Sequence, residues 1–307
     1  MISNYSRLWR LFVVLLTLGS AIGQGRAAEN GQEILRKMIE TRTALVSGIC
    51  EIRGSRTVRT GRDASVQEEV KYDLRLDFAS GRTLFEQIDG VAFLTTEDYR
   101  YYAPSSRIEV RRYELTELPV TGTSPFDIRT LGFYFGPGQY LRIPECIDFP
   151  RMRENMLQAN VVKSAQEGAL TVLHLELPKP PGAVGHPRYV VWLDPAKDYV
   201  TVKVEGRSFA DWDQVLSTSE MEWEQINGVW LMTSYSASTP REHDFAADWK
   251  IAWKSVNGPM PRDDFRVERL IPPGRIAVEY TRKDGEHIEL GIIDTSGRPA
   301  GALGLPR

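Results

Sequence analysis

Arg188-Tyr-Val-Val-Trp-Leu-Asp-Pro-Ala-Lys-Asp-Tyr-Val-Thr-Val-Lys-Val-Glu-Gly206, followed by Met221-Glu-Trp-Glu-Gln-Ile-Asn-Gly-Val-Trp-Leu-Met-Thr-Ser-Tyr235, reads as four strands joined by turns. Asp194-Pro195 opens one turn. Asn227-Gly228 is the dipeptide of a two-residue type I′ hairpin, because both central residues must reach positive φ. That turn fixes the register: Ile226 faces Val229 and Gln225 faces Trp230. Met221, Trp223, Trp230 and Met232 then gather on one face, and Glu220, Glu222 and Glu224 lie on the other. An antiparallel meander with one oily face needs a cover, and the cover decides the function.

Working outward, the N-terminal side begins with a helix expected over Asn30 to Ser47. Asn30 and Glu33 form a capping box, Gly48 supplies the stop, and Ile34, Leu35, Met38, Ile39, Leu45 and Val46 make one apolar stripe. From Ile49 the period changes to two. Val70-Lys-Tyr-Asp-Leu-Arg-Leu-Asp-Phe78 alternates most cleanly, with even positions apolar and odd positions charged. Further strands are expected over 82–88, 91–96, 100–103 and 107–113, each the hairpin partner of its neighbour. Residues 118–138 break this rhythm with Pro, Gly, Thr and Ser. Within them Pro125 to Gly132 predicts a short helix. Asp148 caps a second helix, with Met152, Met156 and Leu157 on one side and its end at Asn160. Strands resume at Val161 to Ala165 and Ala169 to Leu177, and Pro178 to Pro187 is a proline-rich loop. Past the opening stretch, Ala247 to Val256 is a strand with Trp249, Ile251 and Trp253 on one face, and 276–293 form a last hairpin around Lys283-Asp-Gly285.

The net charge of −3 carries no block of like charges, which argues against a nucleic-acid partner or a polybasic membrane patch. Arg7 and Arg10 precede the apolar run Leu11-Phe-Val-Val-Leu-Leu-Thr-Leu18 and the small residues around Ala27-Ala28, the layout of a signal peptide over 1–28. The expected destination is the periplasm or the exterior, with a main domain over 29–294 and a frayed Gly- and Pro-rich tail over 295–307. Cys50 and Cys146 are the only cysteines. Export permits a disulfide between them, worth on the order of 4 kcal/mol; two buried free thiols are the alternative.

Catalytic constellations are missing: there is no GxSxG, HExxH, P-loop or GxGxxG. His174, His186, His243 and His287 are scattered. Glu242, His243 and Asp244 adjoin in a loop, and such neighbours usually face solvent. Glu220, Glu222 and Glu224 share one strand face and cannot bracket a glycosidic bond. No metal site, no cofactor and no enzymatic activity are expected. Six of the seven tryptophans follow Lys179. Facing out, they would stack sugar rings, as in a carbohydrate-binding protein. Facing in beside Met221 and Met232, they are core or line an apolar cavity.

The order of elements resembles the LolA-like superfamily of periplasmic outer-membrane lipoprotein carriers, and more closely its secreted bacterial homologues. The residues that carry the resemblance are Ile34-Leu-Arg-Lys-Met38, Phe126-Asp-Ile-Arg-Thr-Leu-Gly132, Val191-Trp-Leu-Asp-Pro195, Val202-Lys-Val-Glu205, Asn227-Gly-Val-Trp-Leu231, Val256-Asn-Gly-Pro259 and Asp264-Phe265. The resemblance implies a mainly β (α+β) fold. It would be a curved antiparallel half-barrel of about ten or more strands with helices over the concave face. It also implies that the first helix and the 125–158 insertion form a lid over an apolar cavity. Met38, Leu74, Leu76, Phe78, Met221, Trp223, Trp230 and Met232 are then the cavity candidates. The implied ligand is a lipid or lipoprotein acyl chain, shielded from water at about 0.8 kcal/mol per buried methylene, with a membrane-protein partner. A sensor or interaction module of the same fold, binding a partner protein, is the alternative.

Overall fold

Asn227 (φ 52°) and Gly228 (φ 79°) both adopt left-handed backbone, and the hairpin they close pairs Ile226 with Val229 and Gln225 with Trp230. A bulge at Glu222/Trp223 then shifts the register, so Met221 faces Tyr235. This hairpin lies in a single sheet of 15 strands. The computed structural model describes residues 31–59, 65–87, 90–115, 127–133, 149–179, 184–240, 245–283 and 286–295. The expected leader, the caps Asn30 and Asp148, Cys146, the Glu242–Asp244 trio and the tail beyond Thr295 lie outside them.

The strands run β1 (Ser47–Arg59), β2 (Ser65–Asp77), β3 (Arg82–Gln87), β4 (Ala92–Thr95), β5 (Tyr99–Ala103) and β6 (Glu109–Glu114) in the first half. The second half holds β7 (Asn160–Glu167), β8 (Leu170–Glu176), β9 (Arg188–Asp194), β10 (Val200–Arg207), β11 (Val215–Ile226), β12 (Val229–Ser238) and β13 (Phe245–Val256). The chain ends on β14 (Ile276–Lys283) and β15 (Glu286–Asp294). In space the order is β15-β14-β6-β5-β4-β3-β2-β1-β13-β12-β11-β10-β9-β8-β7. The sheet is open and curved, as the alternating pattern and the turns dictate. One seam departs from the expected all-antiparallel pairing: β14 runs parallel to β6, with Val278 opposite Glu109. Parallel neighbours need a long connection, and here it includes β7 to β13, so no local hairpin signal announces it.

Two helices cover one face. The first, α1 (residues 31–43), buries Ile34, Leu35, Met38 and Ile39, but it stops before the expected Ser47. Asn257 causes the early stop. Its side-chain oxygen accepts from Val46 N at 2.9 Å and Ser47 N at 3.3 Å, and its amide donates to Ala44 O at 2.9 Å. The orphan groups at the helix end are thereby satisfied from β13's exit rather than by Gly48, which lies inside β1. Val46, expected on the apolar stripe, is exposed. The second helix, α2 (Phe149–Leu157), buries Met152 and Met156 and leaves Leu157 exposed, contrary to expectation. Among the described residues no helix is long and apolar enough to cross a membrane.

Neighbouring residues along β3 and β4 point to opposite faces and separate two cores. Phe85 and Phe93 join the large core under α1 and α2. Leu84 and Leu94 belong to a second core on the other face, with Val110, Ala277 and Ile293. Two consecutive 3-10 helices, Arg262–Phe265 and Val267–Leu270, cap it with Phe265, Leu270 and Ile271. Asp264 clamps that cap through Arg75 at 3.1 Å and Arg269 at 2.9 Å. Arg107 donates to Gly90 O, to Glu86 at 3.2 Å and to Leu270 O at 3.1 Å.

Candidate functional site

The apolar stripe of α1 carries one misfit. Residue 42 falls three after Ile39 and four after Met38, so helical geometry aims the Arg42 side chain at the core. It is 3% exposed. Its Nη1 donates to Arg129 O at 2.6 Å and to Leu131 O at 3.1 Å. Its guanidinium stacks on the rings of Phe133, at 4.5 Å, and Trp223, at 5.3 Å. Among the described residues Nη2 reaches only the thioether of Met221, at 3.6 Å, and Nε–H is buried without an acceptor. Among the described residues no carboxylate pairs with it. Burial lowers its pKa to about 9, against the opposing pull of Asp127, so the group is still a cation at neutral pH.

Arg42 thus ties residues 127–133 across the sheet. That segment is built by Asp127, which caps the 3-10 helix Ile128–Thr130 by accepting from Arg129 N at 2.9 Å. The same carboxylate grips the Arg129 guanidinium, at 2.7 Å from Nη2, which lies between the rings of Phe78 and Phe149. Gly132 has φ 91°, a left-handed conformation that favours glycine, and a Cβ there would come 2.8 Å from the Met221 sulfur and displace the tip of that side chain.

Beneath this roof lies an apolar gap of about 20 Å³, lined by Arg42, Leu45, Ile128, Arg129, Leu231 and Met232 and by three tryptophans, Trp223, Trp230 and Trp253. The indoles are half-buried and tied by their N–H groups. Trp223 donates to Thr201 O at 2.7 Å, Trp230 to Asp198 at 2.9 Å and Trp253 to Met232 O at 2.9 Å. Of the eight cavity candidates, Trp223, Trp230 and Met232 line this gap. Met221 does not line it; it is buried beside it, with its thioether 3.6 Å from Arg42 Nη2. Met38, Leu74 and Leu76 are fully buried in the same core, and Phe78 packs on its margin under Arg129. Arg42, Arg129 and Trp253 were not among those candidates. The charge at position 42 inside the α1 stripe is the one sequence signal that could have found the first of them.

Other candidate chemistry stays dispersed. Among the described residues no group of three or more His, Cys, Asp or Glu is placed to hold a metal ion. His174 packs on Trp212, and His186 Nδ1 lies 2.9 Å from Leu177 O. Glu220 and Glu222 border a polar groove of about 280 Å³ with Lys203, Ser234 and Ser236 on the outer face. Trp192 stands on that face too, under Lys203 at 4.5 Å and bonded to Glu167 at 2.8 Å. Cys50 is a free thiol, fully buried, and burial pushes its pKa up; the bridge to Cys146 is not formed at Cys50. Cys50 belongs to the large core under α1, and Cys146 lies outside the described residues.

No protein-family model matches the chain, and no curated protein matches it either. Its fold is similar to several solved structures. One is a LolA superfamily protein from Nitrosomonas europaea, 13% identical, with 78% of this chain and 98% of that chain covered at a TM-score of 0.47. Another is a putative outer membrane lipoprotein-sorting protein domain from Vibrio parahaemolyticus, 16% identical over 79% and 99% of the two chains, TM-score 0.46. A third is a DUF1329 family protein from Desulfovibrio piger, 15% identical over 80% and 99%, TM-score 0.46. These are likenesses of fold; what the site binds is argued from its own side chains.

Proposed function

We propose that this chain is an exported, non-enzymatic binding protein that holds a lipid or lipoprotein acyl chain on the inner face of its half-barrel, residues 29–294, and hands it on to a membrane-associated partner. One observation carries the reading. Three half-buried tryptophans and Met232 surround an apolar gap whose roof, residues 127–133, is fastened by a buried arginine that has no carboxylate partner among the described residues. A gap of about 20 Å³ admits a water-sized probe, far below the ~300 Å³ and more of a ligand pocket. On this reading the small gap belongs to a closed form. Opening means swinging 127–133 away, which breaks two hydrogen bonds from Arg42 and exposes Phe133, Trp223 and Met221 to an incoming chain. Each methylene that replaces water on this surface contributes about 0.8 kcal/mol, so a chain of a dozen carbons offsets the cost of opening. The leader pattern of Arg7, Arg10 and the apolar run 11–18 supports export.

The test is extraction of lipids from the full chain, expressed with its leader and purified without detergent, followed by mass spectrometry. Acyl chains near one per protein support the reading, and their loss in a Trp223→Ala/Trp253→Ala variant of unchanged circular dichroism places them at the gap. A protein free of acyl chains that also takes up none from vesicles contradicts it.

A further inference from the structure

The charges at the gap do not balance. Arg42 and Arg129 line it, and among the described residues no carboxylate does. Asp127 neutralises Arg129 through both oxygens, with Nε to Oδ1 at 3.0 Å and Nη2 to Oδ2 at 2.7 Å. Its pull on Arg42 is smaller than the desolvation that dominates there. One positive charge is left over, 3% exposed, between two aromatic rings. A buried cation with no partner is costly, and a fold keeps one where something else supplies the counter-charge.

The unused edge of the guanidinium says what that is. Nη1 is spent on two backbone carbonyls of the roof. Among the described residues Nε–H has no acceptor, and Nη2 touches only the thioether of Met221, a weak acceptor. Nε and Nη2 together form the side-on fork that takes two oxygens of one acid group. We infer that the occupant of this gap is an anionic single-chain amphiphile whose acid head group docks on the Nε–Nη2 edge of Arg42 while its hydrocarbon chain lies against Trp223, Trp230 and Trp253. This deepens the binding role proposed above and rests on it. It selects by head group as well as by chain: a long-chain carboxylate or a lysophospholipid phosphate meets the charge, and a neutral alcohol or glyceride leaves it bare.

Tryptophan fluorescence of the full chain, titrated with palmitate, hexadecanol and palmitoyl lysophosphatidate below their micelle concentrations, tests this without any variant. Palmitate is expected to bind at least about tenfold tighter than hexadecanol, which is ~1.4 kcal/mol. Arg42→Met is expected to bring the two together, and Arg42→Lys, which keeps the charge but loses the fork, to fall between them. The variants are compared after their circular dichroism and urea midpoints are matched to the parent. Tighter binding of lysophosphatidate than of palmitate assigns the acid group to a phosphate, and the reverse order to a carboxylate. Equal binding of palmitate and hexadecanol to the parent overturns the head-group inference and leaves the apolar site standing. An anionic preference that survives in Arg42→Met overturns it as well. If neither chain binds, both the inference and the binding role fall.

Discussion

Arg42 and Arg107 each fasten an irregular segment to the sheet through backbone carbonyls, yet they do so on opposite faces and with opposite bookkeeping of charge. Arg107 holds the 262–271 cap over the small outer core, and Glu86 stands beside it as counter-ion. Arg42 holds the 127–133 roof over the large inner core, beside a gap, with no carboxylate paired to it among the described residues. The outer core is filled by Leu84, Leu94, Phe265, Leu270 and Ile271, all buried at 4% exposure or less. The inner site keeps three half-buried tryptophans around open space. A seam built only to stay shut pairs its charges and packs its interior; a seam built to open leaves both incomplete.

The sharpest way to break this comparison is to cut into the outer cap. Phe265→Ala is expected to cost ~3–5 kcal/mol in urea unfolding, because it leaves a cavity in a filled core. Trp230→Ala, at the half-exposed inner gap, is expected to cost ~1 kcal/mol or less despite removing a larger ring. Equal costs would mean that the two faces are packed alike. The arginines come next. Arg107→Met strands Glu86 and two carbonyls and is expected to destabilise by ~2–3 kcal/mol. Arg42→Met loses two carbonyl bonds but also sheds an unpaired buried charge, so its unfolding free energy is expected within ~1 kcal/mol of the parent. Gly132→Ala strains a left-handed backbone and displaces the tip of Met221, and is expected to cost ~1–3 kcal/mol. Its distinctive signature is faster hydrogen exchange at 128–133 with no change at 265–271.

The smallest effect concerns His174, where the comparison touches pH. Burial, then the charges of Lys163 and Arg207, hold its pKa below the ordinary 6.5, with Glu167 opposing. The unfolded chain therefore binds the proton more tightly. The neutral ring contributes stability above pH 6.5, and that contribution is lost as pH falls below it toward the folded value. The melting temperature of the parent is expected to drop slightly more than that of His174→Gln between pH 7.5 and 5.5. A drop identical in the two proteins would remove His174 from the account.

Local rules made part of this molecule legible. The Asn227-Gly228 hairpin with its register, the alternation of β2 and the buried stripe of α1 all follow from φ preference and periodicity, which act over a few residues. What escaped is non-local. The stop of α1 is set by Asn257, over two hundred residues away. The parallel seam of β6 with β14 has no turn to mark it. The outer cap is two short 3-10 helices, too brief for a helical period to show in Arg262-Asp-Asp-Phe265 and Val267-Glu-Arg-Leu270. At the site, Trp223, Trp230 and Met232 were legible because they share a hairpin face. Arg42 was hidden because a single charge on an apolar stripe reads as a surface residue until the helix is docked.

The central claim is that an acyl chain is held on the inner face, under 127–133, and nowhere else. Photo-crosslinking of the full chain with a diazirine-bearing C16 fatty acid, mapped by peptide mass spectrometry, tests it most directly. Label is expected on peptides holding Ile128–Phe133, Met221–Met232 and Trp253, and excess unlabelled palmitate is expected to compete it away. Label concentrated on the outer groove around Lys203, Glu220 and Ser236, or spread evenly over the sheet, would contradict the account.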